Sequence, residues 1–263
     1  MRDTDKKGIK SDRIRRSIFL LPNLFTAMNM FCGFYAVVAA INGKFVPAAY
    51  AIVIAGIFDN LDGKIARATR STSQFGVEFD SLADLVSFGV APGLLMYLWV
   101  LSPLGRIGWL AAFLFVVCGA LRLARFNTQV GTVSSSHFVG LPIPAAAGMN
   151  AVVVLFCHKI GMADQVHSLI MLIMLYGLSF LMVSTIKYPS FKNAAFFRNR
   201  NFNVLVTAIL VFIFIAAQPS VALFLIGTVY ILSGPVVTLR YARRARQESA
   251  NSAQEKEQHS KTI

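Results

Sequence analysis

Five of the chain's twelve acidic residues crowd into one stretch, FDNLDGKIARATRSTSQFGVEFDSLAD: Asp59, Asp62, Glu78, Asp80 and Asp84. A helix carries Asp59 and Asp62 on one face, and a second helix would do the same for Asp80 and Asp84. Gly63 and Ala66 fall on the Asp59 face, and Gly76 lies one turn before Asp80. Each acidic pair therefore has nearly bare backbone beside it, which a ligand can approach. Carboxylates ~4 Å apart at an effective dielectric near 20 repel by about 4 kcal/mol per pair. Such a cluster must hold either protons or cations. No His or Cys lies near it, and hard oxygen donors favour Mg²⁺ or Mn²⁺. Two ions sharing these ligands would form a clamp suited to displacement at phosphorus. A polar network that merely joins two helices is the other reading of the same spacing.

The elements that must position these residues are membrane spans. The chain has 263 residues, is 56% hydrophobic and only 14% charged, and has a mean hydropathy of +0.62. Soluble domains carry about a quarter charged residues. Apolar runs of roughly 20 residues occur at 19–41, 46–66, 80–101, 107–126, 142–161, 166–186, 203–218 and 220–239, the seventh being short. The expected fold is all-α and polytopic, with about eight transmembrane helices. Eight spans put both termini on one side, and 22 of the 25 Lys and Arg residues then fall on that side, leaving only Lys44, Arg106 and Lys159 opposite. Positive residues mark the cytoplasmic face, so the expectation is a cytoplasmic (inner) membrane protein with both termini in the cytoplasm. The +13 net charge follows from this topology and from anionic lipid nearby, and no nucleic-acid partner is expected. The basic start followed by a long apolar run reads as an uncleaved first helix rather than a signal peptide.

Depth supports the cluster. At 1.5 Å rise per residue, Asp59 and Asp62 lie ~21 and ~25 Å from the outer end of span two, and Asp84 and Asp80 ~25 and ~31 Å from that of span three. In a core of about 30 Å all four lie toward the cytoplasmic face, on antiparallel neighbours joined by a short polar loop. A charge at mid-bilayer costs about 2.5–3.5 kcal/mol on insertion scales, so such residues usually face a cavity and carry function. Cys32, Cys118 and Cys157 show no metal-ligand spacing and read as small core residues.

The pattern Asp59-x-x-Asp62-Gly63-x-x-Ala66-Arg67, then eight residues, then Gly76-x-x-x-Asp80-x-x-x-Asp84, resembles the signature of the CDP-alcohol phosphotransferase family at every position. ALRLARFN (Ala120–Asn127) and FVGLPIPAAAG (Phe138–Gly148) are similar to its phosphatidylserine synthase branch, and LPNLFT (Leu21–Thr26) to a motif of the family's first span. The resemblance implies a phosphatidyl transfer from CDP-diacylglycerol to an alcohol, L-serine in that branch, with release of CMP. It implies two divalent ions, with Asp59 bridging both, Asp62 on the first, Asp80 on both and Asp84 on the second. Asp84 would also be the general base. Gly63, Arg67 and Ser73 would hold the CDP group, beside Ala66 and Gly76, with Asn23 and Thr26 as further candidates. The expected layout is a basic cytoplasmic segment 1–16, a membrane domain 17–241 comprising a catalytic six-helix core at 17–186 and two additional helices at 203–241, and a polar tail at 242–263 whose composition reads as disordered. A homodimer fits family analogy, with no interface readable.

Serine brings a carboxylate, so its site should offer a fixed cation. Arg122 and Arg125 are the candidates, with Asn127 close by; ordinary positive-inside anchoring is their alternative role. Glycerol phosphate and inositol phosphate would also attract arginines and remain alternative acceptors. A divalent-cation transporter would use intramembrane carboxylates too. It would need polar groups continuing through the outer leaflet, and Phe45–Phe58 and Leu85–Leu101 carry no acidic residue. Gly89 and Gly93 have the small-xxx-small spacing of close helix packing.

Overall fold

The computed structural model describes residues 3–69, 71, 73–129, 137–163, 165–189 and 216–236, and single positions 206, 209, 213 and 238; for 3–20, 129, 137–139, 187 and 189 it describes the backbone alone. The first helix runs Asp3–Ile41 and the second Phe45–Thr69. Between them Gly43 takes φ +69°, its N–H reaches Ala40 O at 3.0 Å, and the Lys44 N–H reaches Ala39 O at 2.9 Å. This left-handed glycine stop closes the orphan carbonyls of the first helix and folds the second back along it.

The third helix is one continuous element from Gln74 to Leu104, but it is not uniformly α-helical. It widens into π turns at Leu85–Val90 and Tyr97–Leu101 and tightens to 3₁₀ at Ser102–Leu104. Pro92 lacks a backbone N–H, which loosens the ladder where the first π turn closes. Ser73 caps its start, with the Oγ accepting the Gly76 N–H at 3.0 Å. The fourth helix spans Arg106–Gln129, the fifth Ile143–Lys159, the sixth Ser168–Val183, and a C-terminal helix Pro219–Val236.

Five of these elements are long and apolar enough to cross a membrane, and the fifth and sixth helices are shorter apolar ones. Together they account for seven of the eight expected spans. The remaining one, 203–218, lies largely outside the described residues, and the tail 242–263 and residues 190–205 lie wholly outside them. Large apolar side chains such as Phe31, Phe34, Ile54, Phe113, Ile173, Phe180 and Val229 point outward. Water would penalise such a surface and acyl chains would not. The protein is an all-α multi-pass membrane protein.

The fifth helix sits in the middle, with Ala146, Ala147, Asn150, Ala151, Val153 and Val154 all buried. Hydropathy gave no hint of one small ribbon, in which His137–Val139 pairs antiparallel with Lys187–Pro189. Gly140, at φ +80°, then lets the chain turn under the sixth helix, and the Leu141 N–H bonds Leu181 O at 2.9 Å.

Small residues let the helices meet closely. Gly93 lies against the fourth helix, where a Cβ would stand 3.3 Å from Ala112 O. Gly33 faces the third helix so tightly that a Cβ would overlap the Ser87 side chain and come within 2.6 Å of its Cα. Gly148 and Gly177, by contrast, have open space where a Cβ would go. Gly33→Ala should therefore destabilise the detergent-solubilised protein by about 1–3 kcal/mol through overpacking. Gly148→Ala and Gly177→Ala should be neutral or stabilise it by up to about 1 kcal/mol, as Ala does in helices. Thermal unfolding of the three variants measures this, and equal melting temperatures for all three would contradict the packing.

Candidate active site

The second and third helices bring Asp59, Asp62 and Asp80 together, with one carboxylate oxygen of each lying within 4.8 Å of the others. Asp84 stands against Asp59, close enough for a hydrogen bond between the two carboxyl groups. One turn separates Asp80 from Asp84, and the π turn begins directly after Asp84. Such wide turns are frequent at functional sites because they re-aim the side chains around them. Among the described residues this is the acidic group able to hold a metal ion.

The first helix closes the third side, through a polar stripe on an otherwise apolar segment. Thr26 donates from Oγ1 to Asp62 Oδ2 at 2.9 Å, and Asn29 donates from Nδ2 to Asp84 Oδ1 at 3.0 Å. Ser87 donates to Asn29 O at 2.9 Å, one turn below the Gly33 contact. Thr26, Asn29 and Gly33 recur at helical spacing, and this stripe was the signal that could have singled out Asn29, which sequence reasoning missed along with Ser87. Close approach at Gly33 is what carries the short Asn29 side chain to Asp84.

The donor set fits a hard divalent cation. Its ligands are carboxylate oxygens with no nitrogen or sulfur among them. Asp80 Oδ1 is buried and has no hydrogen-bond partner. A buried anionic oxygen without a donor is costly, and a cation is the group that would satisfy it.

The other sequence candidates divide. Asn23 approaches Gly76, where a Cβ would lie 3.4 Å from Asn23 Oδ1 and 3.2 Å from Ser73 Oγ. Bare backbone at Gly76 thus serves the packing of this cap. Ser73 is engaged as that cap. Arg67 is exposed and lies back along its helix, so that a Cβ on Gly63 would stand 3.7 Å from its guanidinium. Ala66 is half-buried one turn after Asp62. Arg122 is largely buried, with its Nε unpartnered, and its charge faces Asp84. Asn127 donates to Ser81 Oγ at 2.9 Å, which ties the fourth helix to the third beside Asp80. Arg125, nearly one turn further along the same helix, is exposed. Arg122 on the fourth helix and Arg67 on the second both lie within electrostatic reach of the carboxylates.

The model of the CDP-alcohol phosphatidyltransferase family matches residues 19–183. A Helicobacter pylori protein named CDP-diacylglycerol–serine O-phosphatidyltransferase is 41% identical over 208 residues, 79% of this chain and 87% of its own. A Bacillus subtilis protein of the same name is 38% identical over 176 residues, 66% of this chain and 93% of its own. The archaetidylserine synthase of Methanothermobacter thermautotrophicus is 35% identical over 181 residues, 68% of this chain and 73% of its own. The matched span contains all four aspartates, the polar stripe of the first helix and Arg122. This chain belongs to the CDP-alcohol phosphatidyltransferase family.

Proposed function

We propose that the protein transfers the phosphatidyl group of CDP-diacylglycerol to L-serine, forming phosphatidylserine and CMP at the cytoplasmic face of the membrane. The observation that carries this reading is the triad of Asp59, Asp62 and Asp80, whose oxygens lie within 4.8 Å of one another beside Asp84. The names of the similar proteins support serine as acceptor, since serine recurs in them while the lipid part differs. The cytoplasmic orientation rests on the distribution of positive residues.

Asp59, Asp62 and Asp80 would hold a first divalent ion, Mg²⁺ or Mn²⁺, and Asp84 would share a second with Asp59 and Asp80. When bound, the ions would neutralise the pyrophosphate and polarise its phosphoryl oxygens. The remaining work belongs to the chain. Thr26 holds Asp62 and Asn29 holds one oxygen of Asp84. Asp84 would take the proton of the serine hydroxyl, which is too weak an acid to attack unaided. The hydroxyl oxygen then bonds the β-phosphorus as the bond from that phosphorus to the CMP oxygen breaks. Arg67, Gly63 and the cap around Ser73 and Gly76 would receive the CDP group, with Asn23, Thr26 and Ala66 as further contacts. Arg122 would pair with the serine carboxylate. The lipid chains can stay in the bilayer, because the site sits near the headgroup boundary.

The direct test is CMP release by purified protein from CDP-diacylglycerol with Mn²⁺ and a panel of serine, glycerol phosphate, inositol phosphate and ethanolamine. Serine should be the acceptor used, and chelation with EDTA should abolish release, with recovery on adding Mn²⁺ or Mg²⁺. Release with a different acceptor alone, or undiminished release after chelation, would overturn the reading. Asp84→Asn should lower kcat by about 10³-fold, the scale of a general base, while CDP-lipid binding persists. Arg122→Ala should raise the KM for serine by at least about tenfold, the scale of a lost charge-assisted hydrogen bond, and leave that for CDP-diacylglycerol unchanged.

A further inference from the structure

Asn29 and Ser87 are both fully buried, one on the first helix and one on the third. Substrate arriving from the headgroup layer would meet the aspartates and not these two side chains. Polar groups sealed in an apolar slab are costly, and for Asn29 the cost is compounded, because its Oδ1 has no partner. Packing alone would favour an apolar residue of the same shape at position 29.

The third helix bonds Asn29 at two points. The side-chain Nδ2 donates to Asp84 Oδ1 at 3.0 Å, and the backbone O accepts from Ser87 Oγ at 2.9 Å. That carbonyl also belongs to the ladder of the first helix, where it faces the Gly33 N–H four residues on. Its two lone pairs serve both donors. Gly33 makes the room, since a Cβ there would overlap the Ser87 side chain. Asp84 and Ser87 stand three residues apart, and the π turn opens between them at Leu85. A closed circuit results, which runs from Asp84 through the Asn29 amide and carbonyl to Ser87 and back along the third helix.

The side-chain type suits this task. Thr26, which serves Asp62, carries a hydroxyl that can swivel. An amide nitrogen only donates, and turning the amide over would set its oxygen against the carboxylate. Asp84 is thereby held in one orientation for as long as the Asn29 backbone stays in place, and Ser87 seated on Gly33 keeps it there. A base must stand within hydrogen-bond reach of the hydroxyl it serves. A misplacement of about 1 Å can cost on the order of 10²-fold in rate.

We propose that Asn29 and Ser87 are positioning residues for the aspartate that activates the acceptor: Ser87, seated against Gly33, fixes the Asn29 backbone, and the Asn29 amide in turn fixes the aim of Asp84. This inference rests on Asp84 being the base of the proposed transfer.

The test compares full-length Asn29→Ala and Ser87→Ala with Ser179→Ala. Ser179 is equally buried, but its hydroxyl bonds its own helix, at Leu175 O and 2.8 Å, away from the cluster. CMP release is measured at saturating Mn²⁺ against each substrate, beside the melting temperature of each variant. Asn29→Ala should lower kcat by about 10²-fold, the scale of a misplaced reacting group. Ser87→Ala should lower it by about tenfold, the upper scale of a lost neutral hydrogen bond. Both should leave the KM for serine and for CDP-diacylglycerol within about twofold. Ser179→Ala should leave kcat unchanged whatever its melting temperature. The double variant should turn over no more slowly than Asn29→Ala alone, because the two residues act as one unit. If Asn29→Ala does not fold, Ser87→Ala against Ser179→Ala decides the matter. An unchanged kcat in Ser87→Ala, an equal loss in Ser179→Ala, or losses that multiply in the double variant would overturn the positioning role and leave serine transfer standing. No turnover of serine by the wild-type protein would overturn serine transfer, and the same comparison on the acceptor that is used would then decide the positioning role.

Discussion

Carboxylates do not gather in an apolar slab without something to hold them. Each one at mid-bilayer costs about 2.5–3.5 kcal/mol to insert, and oxygens within 4.8 Å of one another repel as well. The arrangement around Asp59, Asp62, Asp80 and Asp84 meets this constraint only in part from within the chain. Thr26 and Asn29 supply one hydrogen bond each. Asp80 Oδ1 is left buried and unpartnered. Protein donors thus orient the cluster, and its charge is left for cations to balance. Carboxylate oxygens that the chain leaves unsatisfied are what a divalent ion would need, and such an ion would offer positive charge to a pyrophosphate.

The helices around the cluster follow from the same requirement. Short polar side chains on the first helix can reach the aspartates only if the helix axes come close, and Gly33 against Ser87 permits that approach. The π turn after Asp84 changes the helical phase, so the acidic face below it and the packed residues Ser87 and Phe88 above it need not share one α-helical stripe. The fifth helix, buried along most of its length, fills the middle with Ala and Val. Rigid small-residue packing in the interior and chemistry at one end is a division that suits a lipid substrate, whose reacting phosphorus lies at the bilayer boundary.

Membership of the family extends over residues 19–183, and the catalytic machinery proposed above lies almost wholly inside it. Beyond it, the strand Lys187–Pro189 with Tyr188 and the C-terminal helix pack against one another, and the strand pairs back onto His137–Val139 within it. Their inner contacts are specific: a glycine at 234 that admits a ring, and a tyrosine pair.

Residue types and spacing alone determined the membrane class, the span positions and the aspartate cluster, because hydropathy, helical period and depth along a helix are local properties. They also singled out Arg122 and Arg125 together, and only what packs against the fourth helix makes the first half-buried and leaves the second exposed. Asn29 and Ser87 stayed hidden for the same reason. Each is ordinary in its own helix and matters only through a partner in another one, as with Asn29 and Asp84 at a separation of 55 and Ser87 and Asn29 at 58. The ribbon at His137–Val139 and the π turns could not be read either, since three-residue strands and one-residue changes of phase leave no periodicity. Tertiary structure decided these, because a contact between distant helices is fixed by close packing of their faces, and no single segment carries that information.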